Sequence, residues 1–403
     1  MTDRAVLAER EEARLAWMAL VLTPGMGPTR CARAVRRLGE AERLFDASLT
    51  ELEGLGMPAE SARFVFDGRA RKAAVEEAKL VAEEGARFLT MEDEEYPGRL
   101  LEIFDPPPVL WVRGDAGILN WPGIAVVGTR QPTPYGVGMA EMLSRDLARR
   151  TVVILSGMAR GVDTCAHRGA MDAEGKTVAV WGTGIDVIYP KENKKLAEQI
   201  VESGGAIVSE FPLGTFPAAQ NFPIRNRTLS GMSVGVLVVE AAEYSGTRIT
   251  SRCALEQGRD VYAVPGNATN KNAWGPNTLI KQGAKLTATW EDIWEDLPTQ
   301  IRVQLEDELE RRAGRNESKP GETASLFGEA GAGFGEAGAG PKMGEHERMV
   351  YAELRQDEAL QLDELIERLE PRLASGEIFT ALFELELAGR VRQMPGKNYV
   401  RCF

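Results

Sequence analysis

Histidine is almost absent: His167 and His346 are the only two in 403 residues. Histidine general-base catalysis and histidine metal ligation have little to draw on. Cysteine is sparse too. Cys31, Cys165, Cys253 and Cys402 stand far apart with no C-x-x-C pair. Neither a disulfide framework nor a zinc site is indicated, and reduced thiols in a cytoplasmic protein are expected. No apolar run is long enough to span a bilayer. The amino terminus, Thr2-Asp3-Arg4 and then Glu/Arg-rich, has no apolar core of signal-peptide type. No membrane partner, metal or cofactor is expected.

Positive charge is also short overall, with a net charge of −12 that argues against a nucleic-acid partner. Its distribution reverses that inference. From Pro122 to Trp290, 18 Lys and Arg stand against 14 Asp and Glu, a surplus of +4, whereas the remainder carries −16. A mildly basic middle between acidic ends suggests that the middle meets an anion. The length suggests two or three domains, and 43% hydrophobic residues can build sizeable cores.

What is present centres on Ser156-Gly157-Met158-Ala159-Arg160-Gly161-Val162-Asp163. The apolar run Val152–Leu155 feeds into it and a helix-like stretch follows. A strand, a small-residue turn and a helix start make a ready anion site. Arg160 adds a forked, permanently charged donor suited to phosphate, and Asp163 is a good N-cap for the helix.

Around this turn the period alternates. Apolar strand candidates are 124–127, 152–155, 177–181, 206–209, 234–239, 261–264 and 285–288. Helical stretches lie at 137–149, 163–173, 192–203, 224–232, 248–257 and 276–282. Near-continuous apolar strands separated by helices argue a parallel sheet covered on both faces, with ligands at the carboxyl ends of the strands. The loops there gather Arg130, Arg160, Arg225, Arg227 and Arg248 with Phe211, Phe216 and Phe222. Guanidinium groups and backbone amides suit phosphates, and aromatics suit bases. The competing reading of the phenylalanines, loop anchoring in the core, is expected for two of the three. No dinucleotide fingerprint opens the first helix and there is no P-loop.

The flanks differ. Residues 1–90 read as a helical domain with two apolar-x-Gly-apolar-Gly hairpins, Leu22–Gly27 and Leu52–Gly56, each followed by a helix. That is the helix-hairpin-helix pattern. The first copy carries Arg30, Arg33, Arg36 and Arg37, and the second is poor in positive charge. A connector with Asp105-Pro106-Pro107-Pro108 and an edge strand at 109–112 opens the middle domain, 91–300. Residues 301–343, Gly/Ala-rich from 328 onward, read as a low-complexity linker. Residues 344–403 read as three helices and a two-stranded wing around Pro395-Gly396, a winged-helix arrangement. Its third helix carries Glu377, Glu384 and Glu386 and no Lys or Arg, so it suits protein contact better than DNA reading.

The middle of the chain closely resembles the DNA processing protein A (DprA/Smf) family. The resemblance rests on Val126-Val127-Gly128-Thr129-Arg130 with Tyr135-Gly136, on Ser156–Asp163 with Ala166-His167, and on Gly182–Pro190 with Glu192-Asn193. It continues through Ser209–Pro212, Asn221–Arg227 with Ser230-Gly231, Val238–Ala241 with Ser245-Gly246-Thr247, Ala263–Gly266 and Gly275–Ile280. It covers roughly 95–295, and the helical start and winged-helix end match the family's three-part layout. It implies an α/β fold: an extended Rossmann-like parallel sheet with an N-terminal helix-hairpin-helix (SAM-like) domain and a C-terminal winged helix. It implies a homodimer that binds single-stranded DNA, covers incoming strands in natural transformation and competence, and loads the RecA recombinase for DNA recombination. No catalysis is implied. Carried onto this sequence, Arg130, Ser156, Gly157 and Arg160 hold phosphates with Arg225 and Arg227 nearby, and Phe222 meets a base. The wider phosphate-binding set adds Met158, Ala159, Asn226, Ser245, Gly246, Thr247, Arg248 and Lys281, and Asn221 joins Phe222 at the base. Arg248 departs from the family, which often has an apolar residue there.

The alternative is a nucleotide-binding enzyme of the lysine-decarboxylase-like phosphoribohydrolase type. Its Pro-Gly-Gly-x-Gly-Thr-x-x-Glu signature is missing here. Val264-Pro265-Gly266-Asn267 has one glycine, and no glutamate follows Ser245-Gly246-Thr247 at the required spacing.

Overall fold

A computed structural model of the chain describes residues 3–243, 245–317, 343–356, 359–370, 372–388, 390–394 and 397–401. Most of the expected linker, the Pro395-Gly396 turn and Cys402 lie outside the described residues. The chain divides into two units, Met1–Pro132 with Met139–Arg302, and Thr133–Gly138 with Val303–Phe403.

The first unit opens with helices α1 (Asp3–Leu22), α2 (Pro28–Leu38), α3 (Leu49–Gly54), α4 (Ala59–Phe66) and α5 (Arg69–Glu83). Both expected hairpins form. Gly25 and Gly56 turn them with φ of +79° and +86°, a region that costs glycine little. Ser61 Oγ donates to Pro24 O at 2.6 Å and ties one hairpin to the other. No break in packing falls near residue 90. Ala16, Met18, Leu20, Leu44 and Leu52 share one core with Trp111, Trp181 and Ile207 of the sheet. Glu77 of α5 seals the join by accepting from Trp111 Nε1 at 2.9 Å and Leu213 N at 2.8 Å. Burial raises this carboxyl above its ordinary range.

The sheet comprises β1 (Arg87–Thr90), β2 (Val109–Gly114), β3 (Gly123–Val127), β4 (Val153–Ser156), β5 (Thr177–Trp181), β6 (Ala206–Ser209), β7 (Gly235–Val238), β8 (Asp260–Ala263) and β9 (Lys285–Leu286). Their order is β1-β2-β6-β5-β4-β3-β7-β8-β9. From β6 to β9 every pair is parallel, and β2 joins β6 and β1 antiparallel. Every residue of β3, β4, β5, β6 and β7 is buried, which explains their unbroken apolar runs. Alternate residues point to opposite faces: Ala179 and Trp181 join the core against the N-terminal helices, and Val178 and Val180 the other.

Two expectations are corrected here. Residues 87–90 are a strand, not helix; Phe88 pairs with Trp111, and so short a run has no period of its own. In consequence β2 is an inner strand and β1 is the edge. Between the strands run α6 (Gly98–Leu101), α7 (Pro134–Arg149), α8 (Val162–Asp172), α9 (Lys194–Glu202), α10 (Asn221–Met232), α11 (Thr247–Glu256) and α12 (Trp274–Lys281), and α13 (Glu291–Trp294) follows β9. Chain order climbs from β3 to β6, then returns to β7 on the other side of β3. The β3/β7 boundary is therefore the topological switch point, where such sheets open a crevice.

A further helix, α14 (Thr299–Glu317), occupies part of the segment expected to be linker. Its first fifteen residues hold no Gly or Pro, and Arg312–Glu308 is an i,i+4 pair. In the second unit α15 (Glu345–Glu353), α16 (Leu362–Leu369) and α17 (Ser375–Leu387) pack with β10 (Leu360–Gln361), β11 (Val391–Met394) and β12 (Asn398–Arg401). Val350, Leu365, Ile378, Leu382, Leu385 and Val391 form its core. The wing has a third strand, β10, paired to β12. A two-residue strand leaves no alternation to read.

Candidate nucleic-acid interface

The turn after β4 is built around one buried arginine. Arg225, on α10, is only 6% exposed and lies beneath Gly157. Its Nη1 donates to Val180 O of β5 at 3.1 Å. A Cβ on Gly157 would stand 1.5 Å from Nη1, so only glycine lets the turn sit on the guanidinium. Met158 follows with φ +60° and its side chain in the core, and Gly161 closes the turn with φ +75°. Asp163 is not the N-cap. It lies in the first turn of α8, and its Oδ2 accepts from Ala159 N at 3.1 Å, folding the loop back on the helix. Burial raises the Asp163 carboxyl and lowers Arg225, and the charge of each offsets the other's shift.

Two adjoining pockets open at this edge. The larger, about 690 Å³, runs along the carboxyl ends of β3 and β7 and includes Thr129, Arg130, Asn226, Ser245, Gly246 and Thr247. Lys271 and Trp274 line its far side. The smaller, about 90 Å³, lies over the β4 and β5 turns between Gly157, Arg160, Gly182, Tyr189 and Pro190. Phe222 lines both pockets. The Arg130 guanidinium stands 5.7 Å from its ring centroid, and Tyr189 meets it at 5.8 Å, tilted by 42°. An exposed cation beside an aromatic face, flanked by hydroxyls and backbone amides, can take a phosphate and its base together.

The expected contacts divide. Arg130, Gly157, Ala159, Arg160, Phe222, Arg225, Asn226, Ser245, Gly246 and Thr247 all line one pocket or the other. Arg160 is exposed and paired to Glu192, which pushes its guanidinium pKa further up. The rest fall elsewhere. Ser156 is fully buried, its Oγ spent on Val126 O at 2.7 Å. Met158 offers only backbone, and its carbonyl accepts from Asn193 Nδ2. Asn221 is buried, with Nδ2 donating to Gly182 O and Phe216 O, so it fastens the β5 loop and does not face a base. Arg227 is held between Glu210, at 2.8 Å, and Asp105, at 2.7 Å, on the other side of α10. Glu210 fixes Arg227 inside the fold, and burial raises its carboxyl. Arg248 is exposed, bonds Glu243 O and lines neither pocket. Lys281 ends α12, about 10 Å of helix beyond Trp274. Of the three loop phenylalanines, Phe211 is half-buried, Phe216 is 76% exposed, and Phe222 alone of them lines these two pockets.

Lys271 and Trp274 were not anticipated. They sit in the loop after β8 and at the start of α12, so the rule that ligands lie at the carboxyl ends of the strands reaches both. His167 is fully buried, with Nδ1 2.7 Å from Thr177 Oγ1, and burial pushes its pKa down to about 3. It packs and does not face the pockets. Among the described residues no cluster of His, Cys, Asp and Glu is placed to hold a metal, and no helix is long and apolar enough to cross a membrane.

Comparison with known proteins bears on this geometry. The family model described as DNA recombination-mediator protein A matches residues 87–298, and that of the DprA winged helix domain matches 337–397. Protein Smf of Escherichia coli is 47% identical over 52% of this chain and 56% of its own length. Protein Smf of Synechocystis is 32% identical over 98% of this chain and the whole of its own length. The X-ray structure of DprA from Streptococcus pneumoniae superposes with a TM-score of 0.59 at 30% identity, covering 69% of this chain and 96% of that one.

Proposed function

The chain belongs to the DNA recombination-mediator protein A family, the proteins named Smf and DprA, and from that premise we propose that its sheet edge grips single-stranded DNA. The observation that carries the reading is Arg130 poised over the face of Phe222 between two pockets. Arg130 and Arg160, with the backbone amides of Arg160 and Gly161, take phosphates, while the Ala159 amide is held by Asp163. Phe222, Tyr189 and Trp274 offer faces on which splayed bases stack. Single strands suit the site because those faces are reachable only by unstacked bases.

In the cell, the proposed role is to cover single strands entering by transformation in the cytoplasm and to load the RecA recombinase onto them, as a homodimer formed through the sheet unit. Phe104 and Leu255, 92% and 63% exposed, are apolar surface of the kind a second copy covers. The site is read as binding without catalysis. The Asp163 carboxylate at the larger pocket is buried and bonded to its own loop, and His167 is enclosed.

The test is fluorescence anisotropy of the full chain with labelled oligo-dT over a salt series, with free nucleotide monophosphates as competitors. Binding whose log affinity falls steeply with log salt is expected, and Arg130→Ala should weaken it and flatten the slope by about one. No binding at low salt, with tight uptake of a free nucleotide instead, would overturn the reading in favour of the nucleotide-enzyme alternative.

A further inference from the structure

The pockets leave a second concentration of positive charge unexplained. Helix α2, Pro-Thr-Arg-Cys-Ala-Arg-Ala-Val-Arg-Arg-Leu, has four arginines and no acidic residue, in a chain of net charge −12. Cys31, Ala34 and Val35 face the core. Arg30, Arg33, Arg36 and Arg37 are all exposed on the opposite side. Spacings of three, four and seven residues put them on one stripe about 10 Å long. Among the described residues none of the four has a carboxylate partner. Arg30 bonds Gly25 O at 2.7 Å and Arg37 bonds Gly54 O at 3.1 Å, so the two end arms are pinned to the carbonyls of the two hairpins. Arg33 and Arg36, between them, make no side-chain hydrogen bond among the described residues.

We propose that this face is a second nucleic-acid contact, separate from the pockets, and that it takes the phosphate backbone of double-stranded DNA. Charge identifies the partner as polyanionic: four uncompensated guanidinium groups on an acidic protein repel one another until phosphates replace their counterions. What the face lacks identifies the form. No residue of α2 is aromatic. A single strand is held by stacking its bases as well as by its backbone. A stripe of guanidinium groups with nothing to stack on suits a partner whose bases are already stacked inside a helix. The hairpins supply a rigid mount, since Ser61–Pro24 and Arg37–Gly54 both cross from one to the other. The protein then holds duplex on its helical segment while the sheet edge holds single strand, as at a junction between the two.

The test uses the full chain and two labelled probes, a blunt duplex of about 20 base pairs and oligo-dT of equal length, each titrated over a salt series. The variant is R33E/R36E, which touches neither pinned arm and neither pocket, and its melting curve shows that it folds. Wild type should bind the duplex with steep salt dependence. The double variant should lose about tenfold or more of duplex affinity and about two from the log–log salt slope, with oligo-dT affinity within about twofold of wild type. A wild-type chain that does not bind duplex overturns the proposal. So does a variant that binds duplex as well as wild type, or one that loses both probes equally. Unchanged duplex binding with lost affinity for polyglutamate would assign the face to an acidic protein instead.

Discussion

Gly157→Ala probes the joint between the anion turn and the core. The added methyl would lie 1.5 Å from Arg225 Nη1 and 2.4 Å from Cζ. The guanidinium is the end of a flexible chain, yet it is 6% exposed and bonded to Val180 O at 3.1 Å. To clear the methyl it must retreat by about 2 Å, or the turn must lift off it by as much. Retreat breaks a hydrogen bond from a buried charge, about 1.5–3 kcal/mol, and crowding adds about 1–3 kcal/mol. One displacement relieves part of both, so the expected loss is about 2–4 kcal/mol. That lowers the melting temperature by about 5–10 °C. Lifting the turn instead moves the Arg160 amide and side chain, and oligo-dT affinity should fall about tenfold. Calorimetry and anisotropy on the full chain read both quantities. Arg225→Met removes the obstructing group, so in that background Gly157→Ala should cost at least about 1.5 kcal/mol less. A Gly157→Ala protein that melts within about 1 °C of wild type with unchanged affinity would refute this account, as would strictly additive penalties in the double variant.

Arg227→Ala should behave oppositely to a pocket variant: leaving Glu210 buried without its partner costs about 3–5 kcal/mol, while oligo-dT affinity of the folded protein stays within about twofold. A tenfold loss of affinity in a well-folded Arg227→Ala protein would return that residue to the phosphate-binding set. Glu192→Gln frees Arg160, which lines the smaller pocket, from its exposed ion pair and removes the negative charge beside it. It should raise oligo-dT affinity about two- to fivefold at low salt, with the gain fading as salt rises. Unchanged or weaker binding, measured in the same titration, would show that Arg160 does not reach the strand.

What was legible in the sequence follows from period and chemistry. The buried strands β3 to β8 announce themselves because both faces of a parallel sheet are covered, leaving runs such as Val-Val-Ile-Leu unbroken. Their carboxyl ends locate the crevice without coordinates. The two N-terminal hairpins were visible because only glycine sits easily at Gly25 and Gly56. β1, β10 and the early part of α14 were not, since two to four strand residues carry no period and a charged helix beside a Gly-rich tract shares its polarity.

The site was legible as a set of candidates and not as a division of labour. Residue type and loop position identified the Ser156–Asp163 turn, Arg130 and the Arg225–Arg227 pair as chemistry suited to phosphates and the three loop phenylalanines as chemistry suited to bases, and only the family resemblance singled out Phe222. Only the tertiary structure separated them. Arg225 and Arg227 are two residues apart on α10, so the helix turns them about 200° from each other. One points under Gly157 into the site, and the other into the Asp105–Glu210 pair. Lys271 and Trp274 join the pocket because β8 lies beside β7 in the sheet, a neighbourhood that chain order does not state. Residue chemistry is local and readable in one dimension, whereas burial and partnership depend on which distant strands end side by side.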